Sequence, residues 1–232
     1  MKIICFIFAR GNSSGLKNKN LLKFNNMSLI EHTIKQAQKI KRIDKIYIST
    51  DSQKIINNIK KTGIEIPFKR PKKLATNRSP EILSWKHAIN HLKNKMDIKP
   101  DYIISLPVTS PLRSASDIQK CIDLASKKTF DFIFTVNKSN RNPYFNMIKI
   151  DKKNNNVSIV CKIKKIFRRQ DAPECFDMNN ACFVFKPNYV LKNKNLLKGK
   201  VGTIVMPKHR SLDIDNKYDY NLSKLLFKKK LI

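Results

Sequence analysis

The 232-residue sequence lacks long apolar runs, internal repeats and linker-like segments. No window approaches the roughly 18 uninterrupted apolar residues of a membrane helix. The first apolar run, KIICFIF, is too short for a signal peptide and has no cleavage site after it. We therefore expect a cytosolic protein with no membrane partner, in which residues 1–232 form a single domain.

Cysteine is scarce and lacks the spacing of a metal or disulfide framework. The five cysteines are odd in number, contain no C-x-x-C pair and lie mostly in apolar runs. They are Cys5, Cys121, Cys161, Cys175 and Cys182. This pattern argues against disulfides or a zinc site and predicts reduced, buried or half-buried thiols.

Acidic residues are also few, 17 against 48 basic ones, and the formal charge is +31. Such a charge suggests nucleic-acid binding. However, 39 of the basic residues are lysine, and lysine, asparagine and isoleucine together make up 93 of the 232 residues. These three residues have A/T-rich codons, and the lysines form neither a tail nor a stripe interleaved with aromatic residues. We expect no specific nucleic-acid partner, although the charge would attract a small polyanionic substrate.

Two of the five glycines lie directly after the first apolar run, in FARGNSSGLKNKN (8–20). The spacing of Gly11 and Gly15 fits neither the Walker A loop nor the dinucleotide fingerprint. A cationic, glycine-bearing loop after a strand is nevertheless how α/β proteins present amide groups to phosphates. The sequence alone leaves two alternatives open, a phosphate-binding loop of another kind and a turn with solvated lysines.

Short apolar runs alternate with helical patterns along the chain, which is 41% hydrophobic. The expected strands are 2–8, 45–50, 101–107, 131–136, 181–185 and 202–206. The expected helices are 28–40, 51–61, 81–92 and 116–128. Ser49 to Asp51 and Ser114 to Asp117 are the expected helix caps. This alternation predicts a doubly wound, mostly parallel α/β sheet with its site at one sheet edge.

The alternation breaks between about 137 and 175. Two short alternating segments, NMIKI and VSIVCKI, flank an asparagine-rich turn, and no helix is expected there. We interpret residues 137–175 as a β-hairpin excursion from the sheet that serves in dimerisation or as a lid.

Six motifs occur in order along the chain: ARGNSSGLKNKN (9–20), STDS (49–52), RPKKLA (70–75), TSPLRSASDI (109–118), RRQDAPE (168–174) and SLDID (211–215). The first resembles the A-R-x-x-S-K-G-x-x-x-K-N signature of the acylneuraminate cytidylyltransferases, the CMP-sialic acid synthetases. Its matching residues are Ala9, Arg10, Ser13, Gly15, Lys19 and Asn20. The other five motifs follow in the family's order, so the resemblance covers nearly the whole chain.

The resemblance implies a Rossmann-like fold of the nucleotide-diphospho-sugar transferase type, a homodimer and a Mg²⁺ cofactor. It also implies that the anomeric hydroxyl of a nine-carbon 2-keto sugar acid attacks the α-phosphorus of CTP, giving the CMP-sugar and pyrophosphate. NPYFN (142–146) is closest to members acting on bacterial nonulosonic acids such as legionaminic acid.

The resemblance assigns the first loop to the nucleotide, with Arg10 and Lys19 on triphosphate oxygens as catalytic residues. The other implied nucleotide-binding residues are Gly11, Ser13, Gly15, Asn20, Arg70 and Ser79. Such a cradle suits nucleotidyl transfer, which mainly requires positioning and charge neutralisation. For Lys19 and Arg70 taken alone, the alternative is an ordinary solvated surface residue.

Asp213 and Asp215 form the second candidate group, both catalytic and metal-binding in the implied site. In an extended D-I-D segment both carboxylates lie on one side, which suits Mg²⁺. The alternative is an acidic turn capping the helix expected near Asp219.

The implied sugar-binding residues come from two places, Thr109, Ser110 and Arg113 after a strand, and Arg169 and Gln170 beyond the hairpin. A planar guanidinium suits the substrate carboxylate, and Arg169 would reach it across a dimer interface. For Arg113 the alternative is an ion pair that anchors its own loop.

Several positions depart from the family pattern. Ser14 replaces a phosphate-neutralising lysine, for which Lys17 could substitute. Pro107-Val108 replaces a Gln-Pro pair that contacts the sugar, and Asn77 replaces an aspartate. Asn180 replaces a glycine in Asn-Gly-Ala, where we expect a positive φ angle that asparagine tolerates.

Three alternatives to a sialic-acid-type cytidylyltransferase remain. They are a cytidylyltransferase for the eight-carbon acid KDO, a basic nucleic-acid-binding protein, and an impaired family member that only binds nucleotide. The four histidines have no obvious partners in the sequence and no assigned role.

Overall fold

A computed structural model describes residues 1–13, 15–162 and 166–229. The strands are β1 Ile3–Phe8, β2 Lys23–Phe24, β3 Met27–Ser28, β4 Lys45–Ser49, β5 Tyr102–Ser105, β6 Phe132–Lys138, β7 Ile148–Ile150, β8 Val157–Ile159, β9 Phe176–Phe185 and β10 Val201–Val205. The helices are α1 Leu29–Gln38, α2 Gln53–Ile59, α3 Glu81–Lys95, α4 Ala115–Ser126, α5 Pro187–Lys192 and α6 Lys217–Lys228.

Within these residues, six strands form a central sheet in the order β10-β6-β9-β5-β1-β4. The pairs β1–β4, β1–β5 and β6–β10 are parallel, whereas β9 runs antiparallel to both of its neighbours. The predicted mostly parallel sheet is therefore confirmed. The strand expected at 181–185 is longer than predicted, because β9 begins at Phe176 and continues to pair with β6.

Helices cover both faces of the sheet. Apolar residues of α1, α2 and α4, such as Ile34, Ile55 and Ile122, form one core layer. Trp85 and Leu92 of α3 pack with α5 in the other layer. Burial of a continuous apolar stripe from each helix explains why the apolar periodicity in the sequence located four of the six helices.

Side-chain caps fix where four of the described helices begin, at Ser28, Ser52, Ser114 and Asn216, and the sequence predicted caps for two of these helices, α2 and α4. Ser114 accepts a hydrogen bond from the Asp117 amide and forms a reciprocal capping box at α4, as expected. At α2 the expectation was wrong, since Ser52 is the cap. Ser49 and Asp51 are used elsewhere, by Arg70 and Gly11, as described below.

Residues 148–159 form the predicted hairpin, in which β7 pairs with β8. Three of its apolar side chains are uncovered: Ile148 is 54% exposed, Ile150 55% and Val157 59%. Their burial would require a surface that the described residues of the chain do not provide.

Of the cysteines, Cys5, Cys121 and Cys182 are buried in the core, and Cys161 and Cys175 are half-buried; all five thiols are free. None of the described helices is both long enough and apolar enough to cross a bilayer.

Candidate active site

A polar cleft of about 370 Å³ lies at the edge of the sheet where β1 and β5 end. Because the carboxyl ends of parallel strands meet at one edge, loops from distant parts of the chain converge there. The cleft is lined by Phe8, Arg10, Ser13, Lys19, Asn20, Arg70, Leu74, Thr76, Asn77, Ser79, Glu81, Ser84, Pro107, Val108, Thr109, Asn180, Asp213 and Asp215.

The loop after β1 is fixed by its own backbone groups. Asp51, just after β4, accepts a hydrogen bond from the Gly11 amide at 2.8 Å. Asn20 donates to the Arg10 carbonyl at 2.8 Å, and the Arg10 guanidinium donates to the Thr76 carbonyl at 2.9 Å. These bonds hold Arg10 at the cleft wall, which Ser13 also lines.

Lys19 connects this loop to the aspartate segment nearly two hundred residues later. Its ammonium group donates to the Ile214 carbonyl at 2.7 Å and to Asp215 Oδ1 at 3.1 Å. Gly15 lies against the Asp215 carbonyl so closely that a Cβ atom would collide with it. The two segments that the sequence analysis assigned to one nucleotide are thus in direct contact.

The D-I-D segment lies outside the helices and strands, with its central residue in the core. Ile214 is fully buried, and its amide donates to the Thr109 carbonyl at 2.8 Å. Asp213 and Asp215 both reach the cleft. Asp213 Oδ2 accepts from the Asn180 side chain at 2.7 Å, whereas its buried Oδ1 has no hydrogen-bond partner among the described residues.

A buried ion pair anchors Arg210, which lies shortly before this segment. The Nε and Nη2 atoms of Arg210 donate to the two oxygens of the Asp117 carboxylate, each at 2.9 Å. Burial raises the pKa of Asp117, but hydrogen bonds from Arg210 and Ser114 outweigh it and hold the pKa below its ordinary value. The carboxylate is therefore ionised at neutral pH and ties the segment to the start of α4.

Arg70 lines the cleft although it is only 6% exposed. Its guanidinium donates to the hydroxyl and carbonyl of Ser49 and lies 5.5 Å from the centre of the Phe8 ring. Burial lowers its pKa to about 10, so it stays charged at neutral pH. Ser79 also lines the cleft, and its hydroxyl has no partner within the described residues.

The expected sugar contacts are only partly in this cleft. Thr109 lines it, but Ser110 is fully buried and donates to the Asn180 carbonyl at 3.0 Å. Arg113 is 2% exposed and donates to the carbonyls of Pro107 and Ala181. Direct sugar contacts by Ser110 and Arg113 do not fit these positions. Arg113 anchors its loop, through carbonyl groups and not through the ion pair that was considered.

Arg169 and Gln170 lie in a second cleft, of about 470 Å³, at the base of the hairpin. Arg169 there donates to the Asn140 carbonyl at 3.2 Å. Within one chain these two residues are therefore not part of the cleft that holds Arg10 and Asp213.

Asn180 and Asp51 are site residues whose contacts the sequence analysis missed. The positive φ expected at Asn180 is wrong, since the residue lies in extended strand β9. Asn77, Pro107 and Val108, noted as departures, do line the cleft. Lys17 is exposed and lies outside the cleft lining, and Ser14 falls outside the described residues.

A family model described as Cytidylyltransferase matches residues 4–198. The chain belongs to the cytidylyltransferase family. It is accordingly a nucleotidyltransferase, and the expected resemblance to this family is confirmed.

Two relatives of this cytidylyltransferase match over nearly their whole length. One, from Campylobacter jejuni, is named CMP-N,N'-diacetyllegionaminic acid synthase and is 34% identical over 97% of this chain and 94% of its own. The other, post-translational flagellin modification protein B of Campylobacter coli, is 33% identical over 99% of this chain and 96% of its own. A solved CMP:2-keto-3-deoxy-manno-octonic acid synthetase has the same fold, with a TM-score of 0.70 and 12% identity over 99% of this chain and all of its own.

Proposed function

We propose that this enzyme transfers CMP from CTP to the anomeric hydroxyl of a sialic-acid-like nonulosonic acid, with release of pyrophosphate in the cytosol. The observation that carries the proposal is the convergence of Arg10, Lys19, Asp213 and Asp215 on one polar cleft of a cytidylyltransferase. The relative named for diacetyllegionaminic acid, with which NPYFN agrees, supports a bacterial nonulosonic acid as the acceptor.

In the proposed reaction the anomeric oxygen attacks the α-phosphorus, and the bond from that phosphorus to the bridging oxygen of pyrophosphate breaks. Arg10 and Lys19 neutralise triphosphate oxygens, and loop amides around Ser13 and Gly15 approach them closely. Lys19 is pre-positioned for this by its bonds to Ile214 and Asp215. Arg70 and Ser79, at the other wall, are assigned to the nucleoside.

Asp213 and Asp215 are proposed to hold Mg²⁺. The residues fit this ion, because both carboxylates supply hard oxygens and Asp213 Oδ1 lacks a partner within the described residues. Asp215 is 74% exposed, which leaves its second oxygen accessible. No group of three or more His, Cys, Asp or Glu side chains gathers in the described chain, and Mg²⁺ bound by two carboxylates, waters and phosphates needs none. When bound, Mg²⁺ supplies positive charge to the phosphate oxygens.

We propose further that residues 1–232 form one catalytic domain that dimerises through the hairpin region 137–175. The exposed apolar side chains of β7 and β8 support this, since a second copy would cover them. Arg169 and Gln170 would then serve the cleft of the partner rather than their own.

Subunit complementation tests this arrangement. Arg169→Ala and Lys19→Gln chains are each expected to be inactive, whereas their mixed dimer regains one complete site in which Arg169 and Lys19 come from different chains. No recovery in a mixture shown to contain heterodimers would contradict the exchange of Arg169 between subunits.

The decisive test of function is pyrophosphate release from CTP with a panel of nine-carbon and eight-carbon 2-keto sugar acids, with and without Mg²⁺. We expect release with a nonulosonic acid, dependent on Mg²⁺ and specific for CTP over the other nucleoside triphosphates. Preference for the eight-carbon acid would support the KDO alternative. Salt-sensitive binding of DNA or RNA without any pyrophosphate release would support the nucleic-acid alternative.

A further inference from the structure

Asn180 contacts one of the two cleft aspartates directly. Its side-chain amide donates to Asp213 Oδ2 at 2.7 Å, while its own residue is exposed to the cleft. The other oxygen of this carboxylate, Asp213 Oδ1, has no donor in the described chain. The hydrogen bond from the Asn180 amide is therefore the one that orients the Asp213 carboxylate.

The β6–β9 register shifts at the part of β9 that contains Asn180, and hydrogen bonds from other segments anchor the backbone there. Its carbonyl accepts from the buried Ser110 hydroxyl at 3.0 Å. The preceding side chain, Asn179, is buried and accepts from the Thr135 hydroxyl at 2.6 Å and from the Ala181 amide at 3.2 Å. Two anchored neighbours therefore fix the backbone from which Asn180 projects.

We propose that Asn180 is a positioning residue, which holds the Asp213 carboxylate in the orientation that binds a divalent cation. This inference rests on the proposed metal role of Asp213. A ligand carboxylate without a donor can rotate, and the freedom it loses on binding the ion weakens that binding. Donors to metal ligands typically contribute 10–100-fold in metal affinity.

Asn180 departs from the family pattern that the sequence resembles. That pattern has glycine here, which has no side chain to donate. Asn180 does not serve a glycine-like backbone role either, because its φ angle is not positive. The amide group itself is then what the substitution of asparagine for glycine adds.

Mn²⁺ titration of the whole chain, followed by the electron paramagnetic resonance of free Mn²⁺, tests the inference without relying on turnover. For Asn180→Gly and Asn180→Leu we expect the apparent Kd for Mn²⁺ to rise about 10-fold. For Asn180→Gln, which keeps an amide donor, the apparent Kd for Mn²⁺ should lie nearer the wild-type value. Asn188→Ala, at an exposed asparagine remote from the cleft, is the matched control and should leave the Kd unchanged.

A second readout separates positioning from general damage to the site. In pyrophosphate-release assays the Mg²⁺ concentration for half-maximal activity should rise by a similar factor in the Gly and Leu variants, while KM for CTP at saturating Mg²⁺ stays within twofold. Unchanged Mn²⁺ affinity in both variants would overturn the inference and leave the proposed function intact. A wild-type chain that neither binds Mn²⁺ nor releases pyrophosphate would overturn both.

Discussion

The cleft and the hairpin differ in the side chains that they present, which are charged in the cleft and apolar in the hairpin. Lys19 and Arg70 in the cleft, and Arg210 behind it, are each bonded to another part of the same chain. In the hairpin, Ile148, Ile150 and Val157 are apolar, more than half exposed and uncovered. The difference indicates that one chain supplies the charged residues of the cleft and bonds them internally, whereas the apolar surface of the hairpin needs another molecule to cover it.

The two regions should therefore respond differently to substitution. A cleft variant breaks contacts within the chain and changes folding or chemistry at any protein concentration. A hairpin variant leaves the isolated chain nearly unchanged and acts only where two chains meet. The predictions below test this distinction, in order of decreasing effect.

Arg210→Gln should have the largest effect on stability. The Asp117 side chain is 1% exposed, so the variant leaves a buried carboxylate without its cation. Loss of one partner from a buried pair costs about 3–5 kcal/mol. Urea denaturation at pH 7 measures the free energy of unfolding directly.

The matched control is Arg42→Gln, whose partner Asp123 is 57% exposed. That surface pair should contribute less than about 1 kcal/mol. The folded-state pKa of Asp117 lies below its unfolded value, so its stabilising contribution exists above the unfolded pKa and is lost as pH falls below it. Equal losses for Arg210→Gln and Arg42→Gln would contradict the anchoring role of the buried pair.

Lys19→Gln should lower kcat/KM by about 10²–10³-fold, the usual cost of removing one charge-stabilising donor. The reason is that Lys19 joins the phosphate loop to Asp215 and carries the charge assigned to the triphosphate. Lys45→Gln, which removes a lysine from an exposed pair with Glu65, is the control. A Lys19 variant that retains wild-type kcat/KM would remove Lys19 from the proposed mechanism.

Local patterns in the sequence were sufficient to predict most of the sheet, four helices and a further helix near Asp219, which is α6. The helix at Pro187–Lys192 was missed because six residues are too few to show a period. The first half of β9 was missed because the apolar alternation in FDMN covers only four residues, and the strand with which it pairs, β6, lies about forty residues earlier. Both failures concern structure that distant contacts stabilise.

The same limit applies to the site. Family motifs placed Arg10, Lys19, Asp213 and Asp215 in one cleft correctly. They could not show that Arg113 is buried, because arginine is almost never fully buried unless it is paired. Here its guanidinium donates to the carbonyl of Pro107, in the loop after β5, and to that of Ala181, in β9.

Gly15→Ala should destabilise the fold by about 1–3 kcal/mol and weaken CTP binding, because the added Cβ collides with the Asp215 carbonyl. Thermal unfolding and calorimetric titration with CTP give the two quantities. Gly63→Ala is the control, since Gly63 has a φ of 67° and open space around it. It should cost about 1–2 kcal/mol of backbone strain without altering CTP affinity.

Protonation of His32 should also lower the free energy of unfolding in mild acid. Its Nε2–H donates to the Pro111 carbonyl at 2.9 Å, and burial, with the charges of Arg113, Lys39 and Lys35, lowers its pKa to about 4. Since the unfolded pKa is higher, stability is complete above about pH 6.5 and falls as pH drops towards 4. The slope is at most about 1.4 kcal/mol per pH unit.

Unfolding free energies of wild type and His32→Gln between pH 7 and 4.5 provide the check. The variant should show a shallower slope at its lower overall stability. Parallel slopes would mean that the titration of His32 does not contribute. Residues 137–175 contain no histidine, so the hairpin region does not contribute to this effect through a histidine of its own.

Val157→Ser should have the smallest effect on the isolated chain, within about 0.5 kcal/mol, because the side chain is already 59% exposed. Its consequence should instead depend on concentration. Since dimerisation stabilises the folded chain by mass action, the wild-type Tm should rise with protein concentration more steeply than that of the variant. Identical Tm values for the two proteins at every concentration would mean that the hairpin contributes nothing to assembly, and the contrast between an internally bonded cleft and an uncovered hairpin would no longer hold.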